Sequence, residues 1–449
     1  MPLNSRRFLL EFVIVGLCSL CLFASSQAAQ KPNILFILAD DQRWDTIAAL
    51  GNSEVKTPNL DQLVERGFFF RNAFCMGSMI PAVCAPSRTM LMTGRSLWHI
   101  PAPNTKQWDG QSLGSVFRGA GYSTLFVGKR GNSFIAGNES FETVVYDETR
   151  GDKRGGRVGA SQFHADTAIE WLGQQKSDTP FLIYFAPPVP HDPRVAPPEF
   201  MKMYDPAKIT LSKNFMPRHP FDNGELKIRD ELLAAHPRTE MDMRQHLAEY
   251  YATVSNLDHH VGRVIKELQR RGQLENTLVI YSSDQGLAVG GRHGLMGKQN
   301  LYEHVKPPLI VAGPGIPKGQ SGALAYLFDL LPTVCEYSQL PKPDRCDGLS
   351  LLPVIRGEKP RVRETLLGAY RDCQRMIRDE RWKLLAYQAN GERNTQLFDL
   401  SSDPDELRNL ADDPKFADQR QRLEKLLTES RQQFNDPTKF TTDSSKPGD

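Results

Sequence analysis

The sequence predicts a layered α/β/α domain on a large, mostly parallel mixed sheet, followed by a smaller C-terminal α+β subdomain with an antiparallel sheet. Three observations lead there. Short runs that are apolar at nearly every position recur along the first two thirds of the chain, as expected of strands covered on both faces. Segments with apolar residues at helical spacing lie between them, the alternation that lays helices on a parallel sheet. After Cys346 the pattern changes to paired strands around a polar turn, closed by one helix.

In chain order, residues 1–28 read as a signal peptide. Arg6 and Arg7 precede an apolar run at 12–24, too short for an ordinary bilayer span, and small residues follow at Ser26, Ala28 and Ala29. Ser5-Arg6-Arg7 before Phe8-Leu9-Leu10 also partly resembles a twin-arginine signal. An exported chain, periplasmic or secreted, needs export machinery as a partner. The catalytic domain is expected over 29–345. Its strands are 33–39, 123–127, 181–185 and 278–282, and its helices are 60–66, 160–172 and the long stripe 241–271. Residues 186–240, rich in proline and charge, read as an ordered excursion without periodicity, near the substrate. A subdomain at 346–440 has strands at 382–387 and 396–400 and a helix at 418–434, and a disordered tail closes the chain at 441–449.

Lys plus Arg number 55 against 53 for Asp plus Glu, a balance that gives no reason to expect nucleic acid as a partner. Seven cysteines are present; Cys18 and Cys21 leave with the signal. Five remain, an odd number for an oxidising compartment, which points to a reactive or chemically altered thiol. Cys335 and Cys346 are a candidate pair.

Ligands gather at the carboxyl ends of strands in such sheets. Asp40-Asp41, Lys129, His191 and Asp284-Gln285 each follow a predicted strand and so share one rim. Asp40, Asp41 and Asp284 would repel one another there unless a cation sat among them. An oxygen-rich set, with Gln285 adding an amide oxygen, favours Ca²⁺ or Mg²⁺ over zinc. The blander reading of Asp40-Asp41 alone is a helix cap.

Cys84-Ala85-Pro86-Ser87-Arg88, followed by Thr93-Gly94-Arg95, resembles the signature of the sulfatase family, which has the alkaline phosphatase superfamily fold. The resemblance spans nearly the whole mature chain. It includes Asn256-Leu257-Asp258, the segment from Gly297-Lys298 to Glu303, Ala312-Gly313-Pro314-Gly315 and Leu397-Phe398-Asp399-Leu400. It implies that a maturation enzyme oxidises Cys84 to formylglycine, whose hydrate attacks sulfur and also binds the metal with Asp40, Asp41, Asp284 and Gln285. Arg88 would then hold the diol, Lys129 and Lys298 would neutralise the sulfate, and His191 would protonate the leaving alcohol. The implied activity is hydrolysis of a sulfated small molecule or glycan.

Two departures from the family pattern stand out. Gly131 occupies the place of a histidine that hydrogen-bonds the diol; Asn132 or His99 is expected to substitute, or the enzyme to be slow. Gln285 replaces the more usual Asn or His. His293 and Arg194 are further candidates for substrate contact. The other readings are a phosphate or phosphonate ester hydrolase on the same scaffold and a catalytically impaired exported binding protein.

Overall fold

Strand β1 (Asn33–Ala39) is buried at all seven positions and lies near the middle of an eight-stranded sheet. The computed structural model describes residues 31–147, 158–176 and 178–440. The expected signal peptide and the expected tail lie outside the described residues, and among those described no helix is long and apolar enough to cross a membrane.

The remaining strands are β2 (Phe68–Phe74), β3 (Gly77–Ser78), β4 (Ser123–Gly128), β5 (Thr143–Tyr146), β6 (Phe181–Ala186), β7 (Thr277–Ser283), β8 (Leu309–Ala312), β9 (Gly319–Tyr326), β10 (Leu366–Tyr370), β11 (Gln374–Arg378), β12 (Trp382–Ala389) and β13 (Glu392–Asp399). The large sheet runs β5-β4-β6-β1-β7-β8-β2-β9. All its pairings are parallel except the two made by β8. The mixed, mostly parallel sheet predicted from the apolar runs is therefore present, and its two faces carry separate hydrophobic cores.

The long helix spans Glu240–Arg270. Thr239 caps it by accepting from the Asp242 amide, and the predicted stripe from Leu247 to Leu268 is buried. Lower on the same face, Asp258 accepts from the Asn59 and Leu60 amides, so it caps the helix Pro58–Arg66 from outside. Gly262 leaves room for Asn59, whose side-chain oxygen would lie 2.1 Å from an added Cβ. These contacts account for the Asn256–Asp258 landmark through packing.

The second sheet runs β13-β12-β11-β10-β3. Its four C-terminal strands are antiparallel neighbours and are backed by the helix Ala417–Gln433. Its fifth strand comes from far earlier in the chain: Gly77 and Ser78 of β3 pair in parallel with Ala369 and Tyr370 of β10. Gly77 has φ of 116°, and an added Cβ would lie 1.8 Å from the Ala369 carbonyl oxygen, so no other residue fits. Two dipeptides carry too little periodicity to announce such a strand. Leu351, Leu352, Val354 and Ile355 pack into a core of the large sheet, so the chain crosses between lobes after Ile355. Cys335 and Cys346 are both free thiols.

Candidate active site

Four adjacent strands, β4, β6, β1 and β7, end on one edge. Asp40 and Asp41 follow β1, Lys129 follows β4, His191 lies five residues beyond β6, and Asp284 follows β7. Backbone bonds lock the rim: Asp40 N donates to the Val189 carbonyl and Asp284 N to the Ala39 carbonyl. Asp41 has φ of 72°, an unusual backbone for a non-glycine residue. It is held by its amide donating to Asp284 Oδ1 at 3.0 Å and by the Tyr250 hydroxyl donating to its carbonyl at 2.6 Å. Strained backbone of this kind persists only where its surroundings over-determine it, and it clusters at functional sites.

The helix Cys84–Thr93 enters this rim by its N-terminus and is buried along its full length. Pro86 sits in the first turn, where its missing N–H costs nothing. Ser87 Oγ donates to the Asp284 carbonyl at 2.6 Å and Arg88 Nε to Asp284 Oδ2 at 3.0 Å. Gly94 ends the helix with φ of 66°, its amide returning to the Met90 carbonyl. The motif thus reads as structure: proline opens the turn, Ser87 and Arg88 bind it to β7, and glycine stops it.

Cys84 Sγ lies 3.2 Å from Lys298 Nζ, and 3.7 Å from both Asp41 Oδ1 and Gln285 Nε2. Lys298 Nζ donates to Asp41 at 2.8 and 3.0 Å, and Lys129 donates to Asp40. His191 Nε2 is 3.7 Å from Asp41 Oδ2. None of these nine residues, Gln285 and Arg88 included, is more than 6% exposed.

Burial drives carboxylates up, yet here Lys129 and its neighbours hold Asp40 well below the usual range, and Lys298 with His191 lowers Asp41. Asp284 goes the other way: burial, then the charge of Asp40, pushes it up to about 6. Burial, then Asp284, also raises the Cys84 thiol well above its ordinary value. From the protein groups alone, the surroundings thus disfavour a thiolate at position 84. Burial, then Lys298, pushes His191 down to about 4, so the imidazole is neutral while the site holds no anion.

Of the remaining expected residues, Arg194 packs on Tyr250, whose hydroxyl holds the Asp41 carbonyl. It is buried with its guanidinium 5.8 Å over the Tyr250 ring, and its Nε and Nη2 have no hydrogen-bond partner among the described residues. The others do not join the cluster. Asn132 is exposed at a left-handed turn (φ 50°). The His99 ring is held by Asp347 Oδ2 at 2.8 Å and Asn435 Nδ2 at 2.9 Å, bracing the two lobes. His293 stacks on Tyr302 at 3.9 Å and meets Asn214 at 3.1 Å. So neither Asn132 nor His99 stands in this structure where the replacement for Gly131 was expected, because one faces solvent and the other already has partners at both ring nitrogens.

Residues not foreseen come from the aperiodic excursion. Glu231 accepts from the Met296 and Gly297 amides and from Arg238, which fixes the loop carrying Lys298. Asp230 lies 3.8 Å from Lys298 Nζ. From the C-terminal lobe, Tyr370 at the end of β10 and Cys373 in the turn before β11 pack on Val83, directly before Cys84. Glu231 and Asp230 sit in a stretch with no period to place them; their role depends on tertiary contact alone.

Comparison with known proteins agrees with this architecture. The sulfatase family model matches residues 32–340, and the model described as N-sulphoglucosamine sulphohydrolase, C-terminal, matches residues 291–433. An N-acetylglucosamine-6-O-sulfatase of Bacteroides thetaiotaomicron is 24% identical, over 98% of this chain and 94% of its own length. Arylsulfatase K of Rattus norvegicus is 28% identical over 86% of this chain and 76% of its own. Among solved structures, one in complex with its substrate D-glucosamine-2-N,6-O-disulfate superposes with a TM-score of 0.76 at 22% identity, covering 90% of this chain and 98% of that one. A phosphonate monoester hydrolase of Agrobacterium radiobacter has the same TM-score and identity, over 90% and 96%.

Proposed function

We propose, from the premise that the chain belongs to the sulfatase family and is a sulfuric ester hydrolase, that it removes sulfate from a carbohydrate using a formylglycine made from Cys84. The observation that carries this reading is the placement of Cys84. It heads a buried helix with Sγ 3.2 Å from Lys298 Nζ and 3.7 Å from Asp41 Oδ1, on the strand edge where the carboxylates gather, which is where a nucleophile facing an anionic ester would stand.

Sγ marks where the oxygens of the hydrated aldehyde would stand. That hydrate supplies one hydroxyl to attack sulfur and a second whose deprotonation re-forms the aldehyde and expels sulfate. Asp40, Asp41, Asp284 and Gln285, with the residue at 84, would hold a calcium ion, or magnesium in its place. The donors fit: they are mostly carboxylate oxygens, and Asp40 Oδ1 is buried without a hydrogen-bond partner. The ion would polarise a sulfate oxygen and acidify the nucleophile.

The chain's own cations do the rest. Three carboxylates face three permanent cations, Arg88, Lys129 and Lys298, so a divalent ion leaves the pocket with an excess positive charge that matches a sulfate ester. With that ion on the carboxylates, the lysine amines become available to sulfuryl oxygens. Arg88 stays on Asp284 and orients the helix turn behind the nucleophile. His191, neutral in the anion-free site, gains a proton more readily once a sulfate ester sits beside it, and its protonated ring donates to the leaving oxygen. Gly131 leaves the histidine of the family pattern without a counterpart, and Arg194, buried with two unpartnered nitrogens, is a candidate for an added contact.

A carbohydrate substrate is supported by the relatives named for glucosamine sulfates. A cavity of about 620 Å³ lined by Arg371, Asp372, Arg393 and Lys439 borders Cys373, one layer from Val83, and offers room for further sugar units. Export across a membrane after removal of residues 1–28 fits such a substrate. The second reading, a phosphonate ester hydrolase, is favoured by the shared fold of the Agrobacterium enzyme. Turnover of one alcohol's sulfate, phosphate and phosphonate esters separates the two, and preference for phosphorus overturns the first. Mass spectrometry of the peptide around Cys84, after co-expression with a maturation enzyme, reads the aldehyde directly.

A further inference from the structure

A cavity of about 780 Å³ opens between the two lobes and contains none of the nine cluster residues. Its walls are charged, and most of that charge is paired. Arg43 holds Asp45 at 2.9 Å, Arg292 bridges Asp45 and Glu303, and Lys383 holds Glu406 at 2.7 Å with both partners 1% exposed. At the rim Glu380 pairs with Arg361, and Glu54 accepts from the Thr210 amide.

Three lining cations have no carboxylate partner among the described residues: Arg71, which donates to Gln320 Oε1 on the exposed side, and, deeper, Lys306 and Arg378; of the lining carboxylates Glu54 and Asp405 also lack an ion pair. Lys306, just before β8, has no hydrogen bond or ion pair at its ammonium among the described residues; the ammonium lies over the Trp44 ring, 4.7 Å from its centroid. Arg378, at the end of β11 and 5% exposed, meets only neutral oxygens: Asn72 Oδ1 at 3.3 Å and the carbonyls of Asp379 and Glu380 at 3.0 and 3.4 Å. Neither has a carboxylate within ion-pair distance, although one comes from each lobe. Burial, then Arg378, pushes Lys306 down to about 8, and burial lowers Arg378 to about 10. The cavity lining as a whole is balanced, with six basic and six acidic residues, but the two neighbouring cations without a carboxylate at ion-pair distance make one local positive spot, and an anion between them offsets the cost of keeping them together.

We propose that this interlobe groove is an oxyanion-binding site, separate from the catalytic cluster, in which Lys306 and Arg378 grip a sulfate-type group. That the anion is a sulfate rests on the proposed function; the cation pair does not. The group arrives as free inorganic sulfate or as a sulfo group on a saccharide.

The test uses full-length Cys84→Ala protein, which binds without turnover, with and without Lys306→Met. Inorganic sulfate and N-acetylglucosamine 6-sulfate are titrated calorimetrically at constant ionic strength. Two sulfates per chain are expected, one of them weakened at least tenfold by Lys306→Met and retained by Lys306→Arg. The probe whose second site is tighter identifies the natural form. In a chain with Cys84 intact, Lys306→Met leaves kcat/KM for a small aryl sulfate within twofold and does not lower the melting temperature in sulfate-free buffer. A single sulfate per chain, or unchanged affinities in Lys306→Met, overturns the site. Failure of the parent to cleave any sulfate ester overturns the proposed function instead.

Discussion

Replacing Lys298 by methionine separates a catalytic cation from a structural one. Nζ lies 3.2 Å from Cys84 Sγ, the position of the attacking oxygen, and 2.8 Å from Asp41. At an effective dielectric of about 20, a full charge at 3.2 Å interacts with the ammonium by about 5 kcal/mol, which sets a ceiling. Only the charge that develops between ground and transition state counts toward kcat, and removing one fixed donor of this kind costs about 3–4 kcal/mol, or 10²–10³ in rate. Lys298→Met should therefore lower kcat for an aryl sulfate by that factor and change KM by less than threefold. It also strips Asp41 of its nearest cation. Breaking a buried pair costs about 3–5 kcal/mol, so the variant should melt well below the parent in chelator and recover most of the difference in excess calcium. Steady-state kinetics and thermal melts with and without calcium measure both. A variant with kcat within threefold of the parent, destabilised in chelator, would show that Lys298 serves Asp41 alone, and the reasoning about the sulfuryl group would fall.

Three further predictions follow from other contacts. Chelation should lower the parent's melting temperature and calcium restore it; at about 100 times Kd the gain is about 2.7 kcal/mol, while Asp40→Asn should show no calcium shift and at least a hundredfold loss of activity. Glu231→Gln should lower kcat about tenfold through the Met296 and Gly297 amides that set the Lys298 loop, and destabilise the fold by about 3 kcal/mol; unchanged kinetics would remove its positioning role. His219 is pushed down to about 4 by burial, from an ordinary value near 6.5. Its folded pKa is depressed, so stability is intact above about pH 6.5 and lost as pH falls from there toward 4, by on the order of 3 kcal/mol for this one group; His219→Phe should flatten the parent's melting curve across that window, and an equal slope in both proteins would refute it.

Much of the site was legible because its chemistry sits at strand ends. A strand buried on both faces announces itself by its apolar run, and the first polar residues after it must lie on the rim, which located Asp40, Asp41, Lys129, His191 and Asp284 together. The long helix was legible for the same reason, one apolar stripe at one period. Contacts set by surface turns were not. Asn132 adjoins Gly131 in the chain, but a left-handed turn faces it to solvent, and His99 spends both ring nitrogens joining lobes. Glu231, which fixes the Lys298 loop, lies in a stretch whose sequence has no period, so only the folded chain places it. The crossing strand β3 was invisible because two residues are too few to carry a pattern.

That short strand has a consequence for how the protein is made. Gly77 and Ser78 lead into Cys84, yet their partner strand is residues 366–370, nearly three hundred positions later. During synthesis from the N-terminus, the segment ahead of the nucleophile has no strand to pair with until the first residues of the last fifth of the chain have emerged. The order of translation thus leaves this stretch without its partner while the large sheet is being made, and the final lobe shuts it. A chain cut after residue 345 should keep most of its large sheet and leave position 84 without its wall.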